Sequence, residues 1–188
     1  MMFRIFPRKN RLLGFTLIEL MVVLTLIAIL ATIGIPSFRE MIKNNRVTGQ
    51  NNELVALLNF AKSEAVRRST NVDVIISRTT VGWDGDVPDP EGDADVVGCP
   101  TGFLRCSSNS RVFFDEAGFG TSSELAIRFN SRGYLTTPTA DPNDPPAWDP
   151  SGRTLRLQHE NCQGPRQARI IEILPTGQIS SQAAGCAG

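Results

Sequence analysis

Residues 14–36 read GFTLIELMVVLTLIAILATIGIP, and the reading of this stretch decides the fold. From Phe15 to Ile35 there are 21 residues and one charge, Glu19. As a helix this run is long enough to cross the hydrocarbon of a bilayer. The flank before it carries Arg4, Arg8, Lys9 and Arg11 and no acid. Basic flanks stay on the cytoplasmic side, so the rest of the chain is expected across the membrane.

Two features mark the run as more than an anchor. Glu19 sits inside it, where a carboxylate costs a few kcal/mol and calls for a partner. Gly14 stands before the apolar run, whereas a secretory signal peptide places its small-residue cleavage site after it.

Gly14-Phe15-Thr16-Leu17-Ile18-Glu19, with the apolar run that follows, resembles the type IV prepilin signature. The resemblance implies cleavage between Gly14 and Phe15 on the cytoplasmic side by a prepilin peptidase. The same enzyme would N-methylate Phe15, the new first residue. A freed α-amine is largely cationic near neutral pH. In a bundle of parallel helices, Glu19 can then pair with the amine of a neighbour. Such a pair offsets part of the desolvation of both charges and fixes axial register.

The whole chain has 19 basic and 19 acidic residues, but the balance is uneven. Removing residues 1–14 takes away four basic groups and no acid, leaving 15 against 19. From Val72 to Gly188 there are 9 basic and 15 acidic residues, a net of −6. Nucleic-acid binders show a basic face, and this region has none in bulk.

The helical pattern continues beyond Pro36. Gly34 and Pro36 weaken one turn, so a kink is expected there. Phe38, Met41 and Ile42 share a stripe, and Leu54, Leu57, Leu58, Ala61 and Ala65 recur at helical spacing. Asn44, Arg46, Asn51, Asn52, Glu53, Lys62 and Arg67 are assigned to the opposite side. One helix is therefore expected from Phe15 to about Arg68, roughly 80 Å long at 1.5 Å per residue. Strands are expected at Val72–Ile76, Arg111–Phe114, Glu124–Phe129, Thr154–Gln158, Ala168–Ile173 and Gln178–Ser180. Pro175-Thr176-Gly177 suits a turn that makes the last two a hairpin.

Pro36-Ser37-Phe38, Asn52-Glu53-Leu54 and Ala61–Arg68 are similar to the GspH/FimT branch of pilin-like proteins, in particular its type IV pilus minor pilins. Ala126–Gly133 and Arg169–Gly177 resemble the C-terminal half of the GspH-type domain. The implied fold class is α+β, the type IV pilin fold: a long N-terminal helix, membrane-embedded in its first half, packed on an antiparallel β-sheet head. The implied organisation is a cleaved leader over 1–14, a transmembrane and filament-core helix over 15–36, an amphipathic second half over 37–70 and a periplasmic head over 71–188.

Cys99, Cys106, Cys162 and Cys186 all lie beyond the apolar run, where an exported domain forms disulfides. Three pairings are open. Cys99–Cys106 with Cys162–Cys186 is preferred, since each closes a local loop and the second ties down the C-terminus. Zinc is disfavoured by the absence of a CxxC and by a single histidine, His159, which is assigned to the surface or a loop. Gly82 to Gly98 is read as an acidic loop. Its Asp84, Asp86, Asp89, Glu91, Asp93 and Asp95 offer oxygen ligands for calcium but lack the EF-hand spacing. Thr137 to Pro150, with five prolines and Trp148, is read as a second loop.

No phosphate-binding loop, dinucleotide fingerprint or catalytic triad is present, so an enzyme is not expected and no cofactor is required. Expected partners are other minor and major pilins, the prepilin peptidase and N-methyltransferase, an inner-membrane assembly platform and the membrane itself. The leading reading is a minor type IV pilin that helps initiate assembly at or near the pilus tip. A type II secretion minor pseudopilin and a DNA-uptake receptor pilin are the alternatives. For DNA, the aligned GRxR position reads Gly177-Gln178-Ile179-Ser180, without its arginines. Arg153, Arg156, Arg166 and Arg169 remain as a small basic set that phosphates would need to find together.

Overall fold

A computed structural model describes residues 15–115, 123–136 and 153–186. Gly14, the basic flank and the proline-rich stretch with Trp148 lie outside the described residues. The chain divides into two compact units, Met1–Arg39 and Glu40–Gly188.

A single helix, α1 (Leu17–Arg68), begins in the first unit and continues into the second. It has 52 residues. Pro36 lies inside it. The helix ends where the sequence loses its helical signals. Ser69 adopts φ 54°, and the amides of Ser69 and Thr70 donate to the carbonyls of Val66 and Ala65. This is a left-handed C-terminal cap in which serine occupies the place glycine usually takes.

In the second unit, α1 buries Val47, Asn51, Leu54, Leu57, Leu58, Ala61 and Ala65. The spacing of three and four keeps them on one face. Each buried leucine contributes about 1.5–3 kcal/mol. Asn51 belongs to this stripe and not to the opposite side. Its Oδ1 accepts from Ser181 Oγ at 2.7 Å, which satisfies the amide in a position where an unpaired one would be costly.

The strands are β1 (Val72–Arg78), β2 (Gly82–Pro88), β3 (Phe103–Ser110), β4 (Val112–Phe114), β5 (Glu124–Phe129), β6 (Leu135–Thr136), β7 (Arg153–His159), β8 (Ala168–Ile173) and β9 (Ile179–Ala184). They divide into two antiparallel sheets, ordered β3-β2-β1-β5-β6 and β4-β7-β8-β9. Strands β5 and β8 have the bounds expected from sequence, and β9 runs four residues beyond its expected end.

The reading of Gly82–Gly98 as one loop is corrected, because Gly82–Pro88 is strand β2, paired with β1 and β3. Trp83, Gly85 and Val87 are buried, and Asp84 and Asp86 alternate with them on the other face. A Cβ on Gly85 would stand 2.6 Å from Leu57 Cδ2, so glycine lets α1 approach the strand. Trp83 is fully buried, donates from Nε1 to Gln50 Oε1 at 3.1 Å and packs edge-on to Phe114. Its neighbours in α1 and β4 therefore close the core around it.

Candidate functional site

The exposed apolar start of α1 is the most unusual surface of the chain. Leu17, Ile18, Leu24, Ile27, Leu30 and Ile33 are each more than half exposed. Mean hydropathy over this window is 2.6, and none of it is buried. A free surface of this kind requires lipid or other helices. Its hydroxyls are already satisfied: Thr25 Oγ1 donates to the Val22 carbonyl and Thr32 Oγ1 to that of Ile29. The span can therefore enter hydrocarbon without orphaned side-chain donors there.

Thr16 caps this helix, its Oγ1 accepting from the Glu19 amide at 3.3 Å. Thr16-Leu17-Ile18-Glu19 has the Ser/Thr-x-x-Glu spacing of a capping box, a signal the sequence reading passed over. Glu19 thus lies in the first turn, where the helix dipole favours an acid. The carboxylate itself is exposed and forms no ion pair among the described residues. Phe15, 88% exposed, precedes the helix one turn away from it.

The six acids do not form one site. Asp84 and Asp86 project from β2 into an open cleft of about 330 Å³ walled by Gly98, Pro100 and Cys106. Burial, and then the charge of Asp84, push the Asp86 carboxyl above its usual value. Asp89, Glu91 and Asp93 form a separate group whose ligand oxygens lie within 4.8 Å of one another. Asp95 stands outside it. Asp89 is already occupied: it accepts from Arg68 Nη1 at 2.8 Å and from the amides of Glu91 and Ala94. The carboxylate pins a turn to the end of α1, and the Arg68 guanidinium with the two amides accounts for its burial.

The four arginines are likewise dispersed. In the β7–β8 register Arg169 lies opposite Leu157, on the face that meets α1, and its Nη2 donates to Thr48 Oγ1 at 2.7 Å. Arg156 pairs with Ile170 on the other face and donates to the Gly185 carbonyl. Arg153 shares the face of Arg169, opposite Ile173, and Arg166 is exposed in the connection before β8. No single phosphate-binding patch unites them.

Cys99 is bonded to Cys106 and Cys162 to Cys186. The first bond folds the 89–102 connection onto β3. The second holds the C-terminal segment beside the β7–β8 connection, where Arg156 reaches Gly185. His159 is not a loop residue but the last residue of β7, 6% exposed. It aligns with Val112 of β4, and its Nδ1 accepts from the Asn161 amide at 3.1 Å. Burial lowers its pKa, as do Lys43, Arg46 and Arg111, against the opposing charge of Glu160.

Residues 50–177 match the family described as type II transport protein GspH, and residues 9–35 match the prokaryotic N-terminal methylation motif. Two crystal forms of the type IV minor pilin FimU of Pseudomonas aeruginosa are similar in structure. One is 19% identical and covers 73% of this chain and 89% of that chain at a TM-score of 0.47. The other is 19% identical and covers 70% and 88% at 0.44. No curated protein matches in sequence.

Proposed function

This chain belongs to the GspH family, whose members are structural pilin-like subunits and not enzymes, and from that premise we propose that it is a minor type IV pilin. In this reading a prepilin peptidase cuts between Gly14 and Phe15 and N-methylates Phe15. The subunit waits in the inner membrane with its head in the periplasm. It then leaves the bilayer through an assembly platform and joins other minor and major pilins at or near the tip of a new pilus. Gly34 and Pro36 set a bend in α1, and Glu19 selects register against the amine of a neighbour.

The observation that carries this reading is the exposed apolar helix from Leu17 to Ile35 with one acid in its first turn. Lipid satisfies such a surface before assembly, and sister helices satisfy it afterwards. The sequence of Asn52–Arg68 and the cysteine-bearing C-terminus resemble minor pilins, which favours the pilus. A minor pseudopilin of a type II secretion system is the second reading, favoured by the matched family's description.

Chromosomal deletion separates the two. Loss of surface pili and twitching with normal enzyme export supports the pilus. Loss of exported enzymes with normal pili supports secretion. Mass spectrometry of the chain from its host should find N-methylated Phe15 at the amino terminus; a chain that retains residues 1–14 refutes the processing.

A further inference from the structure

Proteins guard the edges of their sheets with short strands, charges, bulges or cover. Among the described residues the two sheets end in β3, β6, β4 and β9. Strands β4 and β6 are short, with three and two residues. Strand β3 is guarded by Arg105, by a register shift at Val87/Pro88 and by the Cys99–Cys106 bond, which folds the preceding connection onto it. Strand β9 has none of these guards. Its six residues, Ile-Ser-Ser-Gln-Ala-Ala, carry no charge and no proline, and Ser180 to Ala183 are exposed. Its pairing with β8 runs through six positions without a shift, and the Cys162–Cys186 bond holds its far end.

The hairpin fixes which backbone groups face outward. The Leu174 amide donates to the Gln178 carbonyl at 2.9 Å. Counting by two along an antiparallel ladder, Glu172–Ser180, Ile170–Gln182 and Ala168–Ala184 are then the bonded pairs. The amides and carbonyls of Ile179, Ser181 and Ala183 therefore point away from β8. No other backbone bond reaches them among the described residues. Donors and acceptors that alternate at strand spacing match another polypeptide strand. Ser181 Oγ also donates to Asn51 Oδ1, so the edge is held on α1 and is already in strand conformation.

Charge narrows the occupant. The region from Val72 to Gly188 has a net charge of −6, so a second copy of this chain is repelled. Glu172 lies opposite Ser180 on the outer face of the sheet, is exposed and forms no ion pair among the described residues. Arg156, on the same face, is engaged with the Gly185 carbonyl. A lysine or arginine on an added strand opposite Ser180 would lie across that small side chain toward Glu172. We propose that the β9 edge takes up an extended segment of a neutral or basic partner protein as an added antiparallel strand, with a lysine or arginine of that segment opposite Ser180. The inference uses the head alone and goes beyond the pilin reading above.

The test uses the full chain in its host. The photo-crosslinker p-benzoylphenylalanine replaces exposed Gln182, and the peptides of the adduct are sequenced. One partner should dominate, joined through an extended run that contains lysine or arginine. Ala183→Pro removes an outward amide and leaves the β8 bonds in place, and it should lower the adduct about tenfold. Glu172→Gln should lower it severalfold. No adduct, an adduct with a second copy, or a yield that survives the proline in a folded head overturns the added strand. A yield unchanged by Glu172→Gln overturns the basic residue. Should Ala183→Pro fail to fold, amide exchange of the unsubstituted chain with a synthetic peptide of the crosslinked run decides. The Ile179, Ser181 and Ala183 amides should slow about tenfold while those of Ser180 and Gln182 change little, as only the first three gain a bond. Uniform slowing, or none, overturns the proposal.

Discussion

A Cβ placed on Gly177 would stand 2.0 Å from the carbonyl oxygen of Gly133. The two glycines bring the β8–β9 turn against the turn before β6, and the Leu135 amide donates to the Pro175 carbonyl at 3.0 Å. Lys62 Nζ joins them from α1, donating to the Gly177 carbonyl at 2.9 Å. Helix and both sheets therefore meet at one point in the head. Gly177 also has φ 72°, so any side chain there is strained as well as obstructed. Gly177→Ala should lower folding stability by about 2–4 kcal/mol. Gly49→Ala is the contrast, since its Cβ meets nothing within 4 Å. It should raise stability by about 0.5–1 kcal/mol through helix propensity alone. Chemical denaturation of the detergent-solubilised chain measures both, and equal effects would refute the argument.

Much of this junction was legible in the sequence. Pro175-Thr176-Gly177 identifies its own turn, three isoleucines mark β8, and β5 carries Leu125, Ile127 and Phe129 at alternate positions. The stripe Leu54–Ala65 follows from helical spacing. Strand β2 was hidden because Gly82, Gly85, Asp84 and Asp86 have low strand propensity; pairing on both sides and the approach of Leu57 make it a strand. The same applies to the arginines. Nearness in sequence suggested a patch, but alternation along β7 and β8 sends Arg156 and Arg169 to opposite faces. Asn51 and His159 were assigned outward by residue type, whereas their hydrogen bonds let them face in.

The two disulfides should differ in worth. Cys162–Cys186 spans 24 residues and Cys99–Cys106 spans 7. In the chain-entropy account the longer loop is worth about 3.5 kcal/mol and the shorter about 2.5. Cys162→Ser/Cys186→Ser should thus destabilise the head about 1 kcal/mol more than Cys99→Ser/Cys106→Ser. It also releases the C-terminal segment that Arg156 holds. Equilibrium unfolding of both double variants, with matched slopes, is the measurement.

Asp89 should contribute stability that acid removes. Burial raises its pKa, but the Glu91 amide, Asp93, Arg68 and the Ala94 amide outweigh burial and hold it below the ordinary value. A carboxyl with a depressed folded pKa stabilises fully above its unfolded pKa, about 3.9, and loses that stabilisation as pH falls through the folded value. Asp89→Ala should therefore be clearly destabilising at pH 7, with the deficit shrinking below about pH 4. A deficit that does not change with pH would assign the loss to packing.

His159 has the opposite chemistry and the same direction. Its ring is held neutral by burial and by Lys43, Arg46 and Arg111, so its folded pKa lies below the unfolded value near 6.5. Between those values the unfolded chain binds the extra proton, and stability falls as pH drops below about 6.5. His159→Gln should cost stability at pH 7.5 and flatten this part of the profile. An unchanged slope in the variant would place the titration elsewhere.

Glu19 and Thr16 separate the two roles that one first turn can play. Thr16 caps the helix within its own chain, and loss of such a cap costs about 0.5–2 kcal/mol. Glu19 gains from the helix dipole, a smaller amount of about 0.3–1 kcal/mol. If capping were the whole purpose of the acid, Thr16→Ala and Glu19→Gln would impair assembly alike. If Glu19 sets register against a neighbour's amine, Glu19→Gln should abolish recovery of the subunit in sheared filaments while leaving membrane insertion intact. Thr16→Ala should retain most of that recovery. An intrachain pair with the Phe15 amine offers no register, so a charge on a neighbour is required for this outcome. Immunoblots of membrane and filament fractions read both variants, and Glu19→Gln recovered in filaments at wild-type level ends the register role.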